Sequence, residues 1–157
     1  MKNVVILTAS PASGKTRWCK RFLNEHPDAI HLNSDNVRIE LTGSYKDFSK
    51  QDEVWMTFEQ RIREYNELPG DFTLIIDALN DLNPIRQKYA SLCSNFDHKK
   101  LVVIKKPLEE TIENNAKRAP EVRVPENILI ALYNKFEMAD EKTKALFDEV
   151  EIIDHQF

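Results

Sequence analysis

The segment that most limits what this chain can become is Ala9-Ser10-Pro11-Ala12-Ser13-Gly14-Lys15-Thr16, set between an apolar run, Val4 to Leu7, and a stretch with helical periodicity. It matches the phosphate-loop pattern GxxxxGK[ST], with Ala9 in place of the first glycine. The pattern has meaning only between a strand and a helix, because an anion must be ringed by backbone N–H groups and faced by the positive end of a helix dipole. In that setting Ser10, Pro11, Ala12, Ser13, Gly14, Lys15 and Thr16 are expected to hold the phosphates of ATP, with Lys15 reaching the β and γ phosphates and Thr16 carrying Mg²⁺. Alanine at position 9 is harmless if φ there is negative and costs about 1 kcal/mol if it is positive.

The rest of the chain repeats one theme, a short apolar run followed by a helical period, which is the pattern of an α/β fold with a mostly parallel sheet. Strands are expected over 4–8, 29–32, 72–77, 101–104 and 150–153. Helices are expected over 15–24, from Ser34 to Gly43, over 108–117 and over 126–138. A longer helix carries Val54, Trp55, Phe58, Ile62 and Tyr65 on one face and stops at Pro69-Gly70, and another opens at Asn83-Pro84 with Ile85, Tyr89, Leu92 and Phe96. A length of 157 residues fits one domain spanning 1–157.

Charge and composition narrow the function classes. A net charge of −4 argues against non-specific duplex binding, which runs on an excess of Lys and Arg. The basic residues are nevertheless gathered, with Lys15, Arg17, Lys20 and Arg21 in the first helix and Lys99, Lys100, Lys105, Lys106, Lys117, Arg118 and Arg123 in a second stretch. No run approaches the ~20 apolar residues of a membrane span, so a cytoplasmic protein without membrane contact is expected. Cys19 and Cys93 lack the spacing of a disulfide framework or zinc site and are expected to be reduced, mostly buried thiols. His26, His31, His98 and His155 likewise lack metal-ligand spacing.

A phosphate loop says nothing about the acceptor. The second expected strand ends at Asn33-Ser34-Asp35-Asn36-Val37-Arg38, which puts Asp35 at the strand edge where ligands bind in open α/β sheets, and Arg38 three residues later on the same helical face. A carboxylate there can take a hydroxyl proton while the guanidinium grips a phosphate; a helix-capping Asp beside a solvated Arg fits the same spacing.

Lys15, Thr16, Trp18, Phe22, Pro27, Asn33, Asp35 and Arg38, with the spacing between them, resemble the start of the phage polynucleotide 5′-hydroxyl kinases, the kinase half of the kinase-phosphatase end-healing enzymes. The likeness runs without a gap over the opening quarter of the chain. It continues through Asp77, Asn80, Leu82-Asn83-Pro84 and Arg86 with one residue inserted, so that either Asp77 or Asp81 answers to the family's second carboxylate. It reappears at Asn115-Ala116-Lys117-Arg118, Arg123-Val124-Pro125 and the helix bearing Ile128, Leu132 and Phe136, similar to the family's lid, here around 115–125. Ser34 stands where the phage enzymes commonly carry a basic residue, and the DxDxT motif of their phosphatase half is absent.

The resemblance implies the P-loop kinase fold, a five-stranded parallel sheet with helices on both faces and a lid. It implies a kinase that uses ATP and Mg²⁺ on the 5′-hydroxyl end of RNA or DNA, with Asp35 as general base and Arg38 on the acceptor's phosphate. Asp77 would orient Arg38 or an Mg²⁺-bound water, and Arg118, with Arg123, would close over ATP. A kinase for a small hydroxyl compound or a nucleotide shares loop, lid and strand-end Asp and is the alternative. A nucleotide-dependent switch is a weaker rival: Asn134-Lys135-Phe136-Glu137 approaches NKxD but ends in Glu and falls inside an expected helix.

Overall fold

The computed structural model describes residues 1–154, so His155 lies outside the described residues. The apolar runs form β1 (Asn3–Ala9), β2 (Ile30–Asn33), β3 (Thr73–Asp77), β4 (His98–Ile104) and β5 (Glu149–Ile153), a five-stranded sheet in the order β2-β3-β1-β4-β5. Every pairing is parallel. Parallel strands need helical crossovers, which cover both faces, and this explains why the inner strands are apolar without alternation. Val4 and Ile6 enter one core cluster while Val5 and Leu7 enter the other, on the opposite face of β1.

The first face is covered by α3 (Gln51–Glu67) and α4 (Asn83–Leu92) through Val54, Phe58, Ile62 and Tyr89, and the second by α1 (Lys15–Glu25) through Trp18 and Cys19. Two capping features set α2 (Ser34–Thr42): Asn33 accepts a hydrogen bond from the Asn36 amide at 3.1 Å, and Gly43 ends the helix in the left-handed region at φ 88°. α5 (Leu108–Ala116), a 3-10 turn (Pro120–Val122), α6 (Glu126–Lys135) and α7 (Glu141–Lys144) complete the chain. Among the described residues no helix is long and apolar enough to cross a membrane.

The departures from the expected elements have local causes. β4 starts three residues before the expected Leu101 because His98, Lys99 and Lys100 pair in register with Asn3, Val4 and Val5. α6 stops at Lys135 rather than 138, and Phe136 leaves the helix in extended conformation to bury its ring. Phe96 lies beyond α4 yet still reaches the core. Neither α7 nor the 3-10 turn was expected; both are too short to show a period.

The order of the strands fixes where the chemistry can sit. β1 lies centrally, between β3 and β4, and the loops leaving β1, β2, β3 and β4 emerge at one edge of the sheet. That edge is where an open α/β sheet binds ligands.

Phe58 is fully buried against Trp55 and Tyr89, with ring centroids 5.7 and 5.8 Å away. Phe58→Ala is expected to cost about 3–5 kcal/mol through lost transfer energy and the cavity left behind, read as a lowered urea midpoint.

Candidate nucleotide and acceptor site

The loop between β1 and α1 is a tight anion cradle. Ala9 is the last residue of β1, paired in register with Ile104, and its φ is not positive, so alanine at the first motif position carries no conformational cost. The strain falls instead on Ala12, at φ 55°, followed by Gly14 at φ 99°. Left-handed residues interleaved with ordinary ones are the backbone pattern that turns successive N–H groups inward on an anion. Ser13 Oγ donates to the Ser10 carbonyl at 2.6 Å and the Ser10 amide donates to the Ile104 carbonyl at 3.0 Å, which holds the loop closed. Pro11 is half-buried, Ser10 Oγ is buried with no hydrogen-bond partner, and Thr16 is exposed in the first turn of α1. That turn contains no acidic side chain, so no carboxylate of its own offsets the positive end of the helix. An unpartnered hydroxyl, a cationic lysine and a helix dipole with no acid in its first turn fit a polyphosphate, and an exposed hydroxyl at Thr16 fits a magnesium ion that would accompany it.

Asp77 organises the floor of this site. The Lys15 ammonium is in ionic contact with Oδ1 at 2.8 Å, off the line that a hydrogen bond prefers. Oδ2 accepts from His31 Nε2 at 2.7 Å and Asn33 Nδ2 at 2.8 Å, and the Cys19 thiol lies 3.5 Å away. Burial alone pushes the Asp77 carboxyl up, but the His31 hydrogen bond, the Lys15 ammonium beside it and the Asn33 hydrogen bond together hold it well below the usual range. Burial, then the neighbouring Asp77 charge, pushes the Cys19 thiol up to about 12, so it stays protonated and donates. Cys19, His31 and Asp77 have no metal-ligand spacing along the chain, yet the fold brings their ligand-type atoms within 4.8 Å of one another. The carboxylate that gathers them is already occupied by hydrogen bonds.

The acceptor-side pair forms as the spacing suggests. Arg38 Nη1 donates to Asp35 Oδ1 at 2.7 Å, with the Asp35 side chain 55% exposed and that of Arg38 only 5%. Arg38 Nε donates to Gln51 Oε1 at 3.0 Å, and the Phe48 ring lies 4.7 Å from the guanidinium carbon. The solvated arginine that the spacing also allowed is thereby excluded. Asp77 does not orient Arg38: β3 delivers it between Lys15 and Cys19 of α1 and His31 and Asn33 of β2, and α2 supplies Arg38 with its own carboxylate. Asp81 sits in the loop after β3, 3.9 Å from Lys135 Nζ, and joins neither group.

Residues 4–138, which carry every group described above, match the AAA domain family AAA_33. The chain is a member of AAA_33. Kti12 of Chaetomium thermophilum, solved in complex with ADP-AlF3, superposes at a TM-score of 0.65 over 96% of this chain and 88% of that one, with 16% identity. A gluconokinase from Sinorhizobium meliloti 1021 superposes at 0.64 over 98% and 82%, with 12% identity. A fungal RNA kinase superposes at 0.64 over 99% and 75%, with 13% identity. Identities this low show the fold, that of the P-loop kinases. A gluconokinase and an RNA kinase on one fold mean that the acceptor must be argued from the site.

In this AAA_33 chain the expected lid, around 115–125, is a loop closed at its base by one side chain. Asn115 donates from Nδ2 to the Val124 carbonyl at 2.6 Å and accepts from the Val124 amide at 3.0 Å. Asn114 Nδ2 donates to the Ala12 carbonyl at 3.1 Å, joining the end of α5 to the phosphate loop. Arg118 is half-exposed four residues later. The Arg123 guanidinium donates twice to the Arg118 carbonyl, at 3.1 and 2.7 Å, so it braces the loop that carries Arg118.

The AAA_33 site also rests on a buried network whose working the sequence did not disclose. Arg86, fully buried, donates to the Asn80 carbonyl at 2.7 Å, Asn83 Oδ1 at 3.0 Å and Thr8 Oγ1 at 3.0 Å. Asn80, left-handed at φ 47°, donates to the Leu7 carbonyl at 2.7 Å. These bonds tie the end of β1 to the loop after β3. Burial lowers the Arg86 guanidinium to about 10, opposed by the charges of Glu137, Asp81 and Asp140. Asn80, Leu82-Asn83-Pro84 and Arg86 hinted at this cluster only through resemblance.

Two outcomes follow from this geometry. Ala12→Gly is expected to raise stability by roughly 0.5–1 kcal/mol, the relief of a left-handed alanine less the entropy glycine adds to the unfolded chain, read by urea unfolding. Because the Asp77 carboxyl is depressed in the folded state, its contribution to stability is complete above the unfolded value of about 3.9 and drains away as pH falls below it. Unfolding midpoints measured across acid pH are expected to show a flatter decline in Asp77→Asn than in the parent chain.

Proposed function

We propose that this chain is an ATP-dependent polynucleotide 5′-hydroxyl kinase that transfers the γ-phosphate of ATP to the 5′-OH ends of RNA or DNA. The observation that carries the reading is the Asp35–Arg38 pair: an exposed carboxylate held 2.7 Å from a buried guanidinium. An acceptor that is already an anion needs no general base, so a presented carboxylate suits a neutral hydroxyl. A fixed guanidinium next to it suits an acceptor that also bears a phosphate. Among the described residues Arg38 Nη2 has no protein partner and is not sealed from solvent, which leaves it for that phosphate. The 5′-terminal nucleotide of a polynucleotide has both features, a free hydroxyl and a phosphate on its 3′ side.

The chain's own groups then divide the work. Asp35 takes the proton of the 5′-hydroxyl as it attacks. Arg38 holds the phosphate 3′ to the terminal nucleoside and so orients the hydroxyl for in-line attack. Lys15 turns from Asp77 to the β and γ phosphates, and the Ser10 to Thr16 loop holds them with its amides. Mg²⁺ held through Thr16 supplies neutralisation of the phosphate oxygens when bound. Asp77 keeps Lys15, His31 and Asn33 in register, and Arg118, on the loop braced by Arg123, neutralises charge on the transferring group. The similarity of fold to an RNA kinase agrees with this reading, and the likeness to a gluconokinase keeps a small-molecule acceptor as the competing outcome.

Transfer of labelled γ-phosphate from ATP with Mg²⁺ to a 5′-hydroxyl oligonucleotide, a 3′-nucleoside monophosphate and a panel of nucleosides and sugars tests it. Labelling of the first two is expected. Asp35→Ala should lower turnover about 10²–10⁴-fold with ATP affinity retained, and Arg38→Ala should raise the acceptor KM about 10–100-fold. Full activity in Asp35→Ala removes the general base, and labelling of a sugar or nucleoside alone moves the enzyme to the small-molecule class.

A further inference from the structure

Phe48 is the one aromatic among the large hydrophobic side chains that the fold leaves exposed in the described residues, at 60% of its surface. It lies in the loop between α2 and α3, against the Arg38 guanidinium, at the acceptor side of the site. A phenylalanine kept in water against a guanidinium adds little to the core, and most of its surface is open to a ligand.

The loop holding it is built rather than slack. Thr42 Oγ1 donates to the Ser44 carbonyl at 2.8 Å and accepts from the Ser44 amide at 3.2 Å. Just after Phe48, the Ser49 amide and hydroxyl both donate to Asp47 Oδ1, at 2.9 and 2.6 Å, which turns that carboxylate onto the loop itself. Tyr45 reaches across to the Glu121 carbonyl at 3.4 Å and links the loop to the lid. The ring of Phe48 is therefore offered on a fixed frame, which limits the ordering cost of a ligand that packs on it.

We propose that Phe48 is a stacking platform for the nucleobase of the acceptor's 5′-terminal nucleotide, and so a specificity-determining residue; the inference rests on the polynucleotide reading above. In that reading the terminal hydroxyl lies at Asp35 and the phosphate on its 3′ side at Arg38. Hydroxyl, base and phosphate of one nucleotide hang from a single sugar, so a base whose phosphate is held by Arg38 leaves beside the group that packs on Arg38. That group is Phe48. Stacking on an aromatic face is tolerant of sequence because every base has a π-face, so the platform selects for the presence of a base and for purines over pyrimidines only mildly. Lys46 and Lys50, both exposed and each two residues from Phe48 in the chain, add positive charge to the same loop, which suits a polyanion.

The experiment compares KM for a 5′-hydroxyl oligonucleotide with that for the same oligonucleotide carrying an abasic residue at its 5′ end, in the parent chain, Phe48→Leu and Phe48→Tyr. The parent and Phe48→Tyr are expected to favour the base-bearing end by about tenfold or more, and Phe48→Leu to bring the two values together. A disturbance acting through Arg38 weakens both oligonucleotides alike, so the ratio isolates the stacking. Phosphorylation with no preference in the parent, or a preference that survives in Phe48→Leu, overturns the platform and leaves the kinase reading standing. Failure of the parent to phosphorylate any oligonucleotide while it still phosphorylates a small acceptor overturns both.

Discussion

A carboxylate buried at the end of β3 is the constraint from which the phosphate side of this protein is built. An ionised Asp77 with its side chain only 3% exposed is tolerable only if its charge and lone pairs are answered by neighbours. The answers come from two other elements: Lys15 and Cys19 from α1, and His31 and Asn33 from β2. Removing any one partner leaves charge or lone pairs uncompensated in the interior, so the four positions are coupled. The same arrangement holds the loop lysine in place, and under the proposed function its ionic contact with Asp77 is what a polyphosphate would displace.

The acceptor side obeys a different rule. There the arginine is buried and the carboxylate is out in water, the reverse of the Lys15–Asp77 pair. A buried guanidinium fixed by Asp35, Gln51 and the Phe48 ring has little freedom left to lose, so a contact made through it costs little further ordering. Asn33 joins the two halves. Its Nδ2 donates to Asp77 while its Oδ1 caps α2 at the Asn36 amide, so the residue that steadies the phosphate floor also sets the start of the helix bearing Asp35 and Arg38.

Beneath both lies the Arg86 network, which replaces the regular sheet ladder where β1 and β3 run out. Thr8 and the carbonyls of Leu7 and Asn80 are buried at that point and require partners. Arg86 and Asn80 supply them, and the phosphate loop leaves β1 from a fixed base. The ring of Phe136 closes over the Arg86 guanidinium at 5.0 Å, which accounts for a chain that abandons α6 early to bury that side chain.

Local patterns in the chain suffice for the strand–loop–helix start, the five strands and the larger helices, because apolar runs, three- and four-residue periods, Pro84 in a first turn and Gly43 after a last turn act within a few residues. They also put Asp35 and Arg38 on one face, since three residues is a helical step. Short-range patterns are silent on what meets across the sheet. That Asp77 faces Lys15 rather than Arg38, that His31 and Cys19 close on the same carboxylate, that Arg123 braces its own loop and that the left-handed strain falls on Ala12 rather than position 9 were decided only by the tertiary structure. The strand order β2-β3-β1-β4-β5 sets which strand ends are neighbours, and the need to satisfy each buried charge then selects the partners.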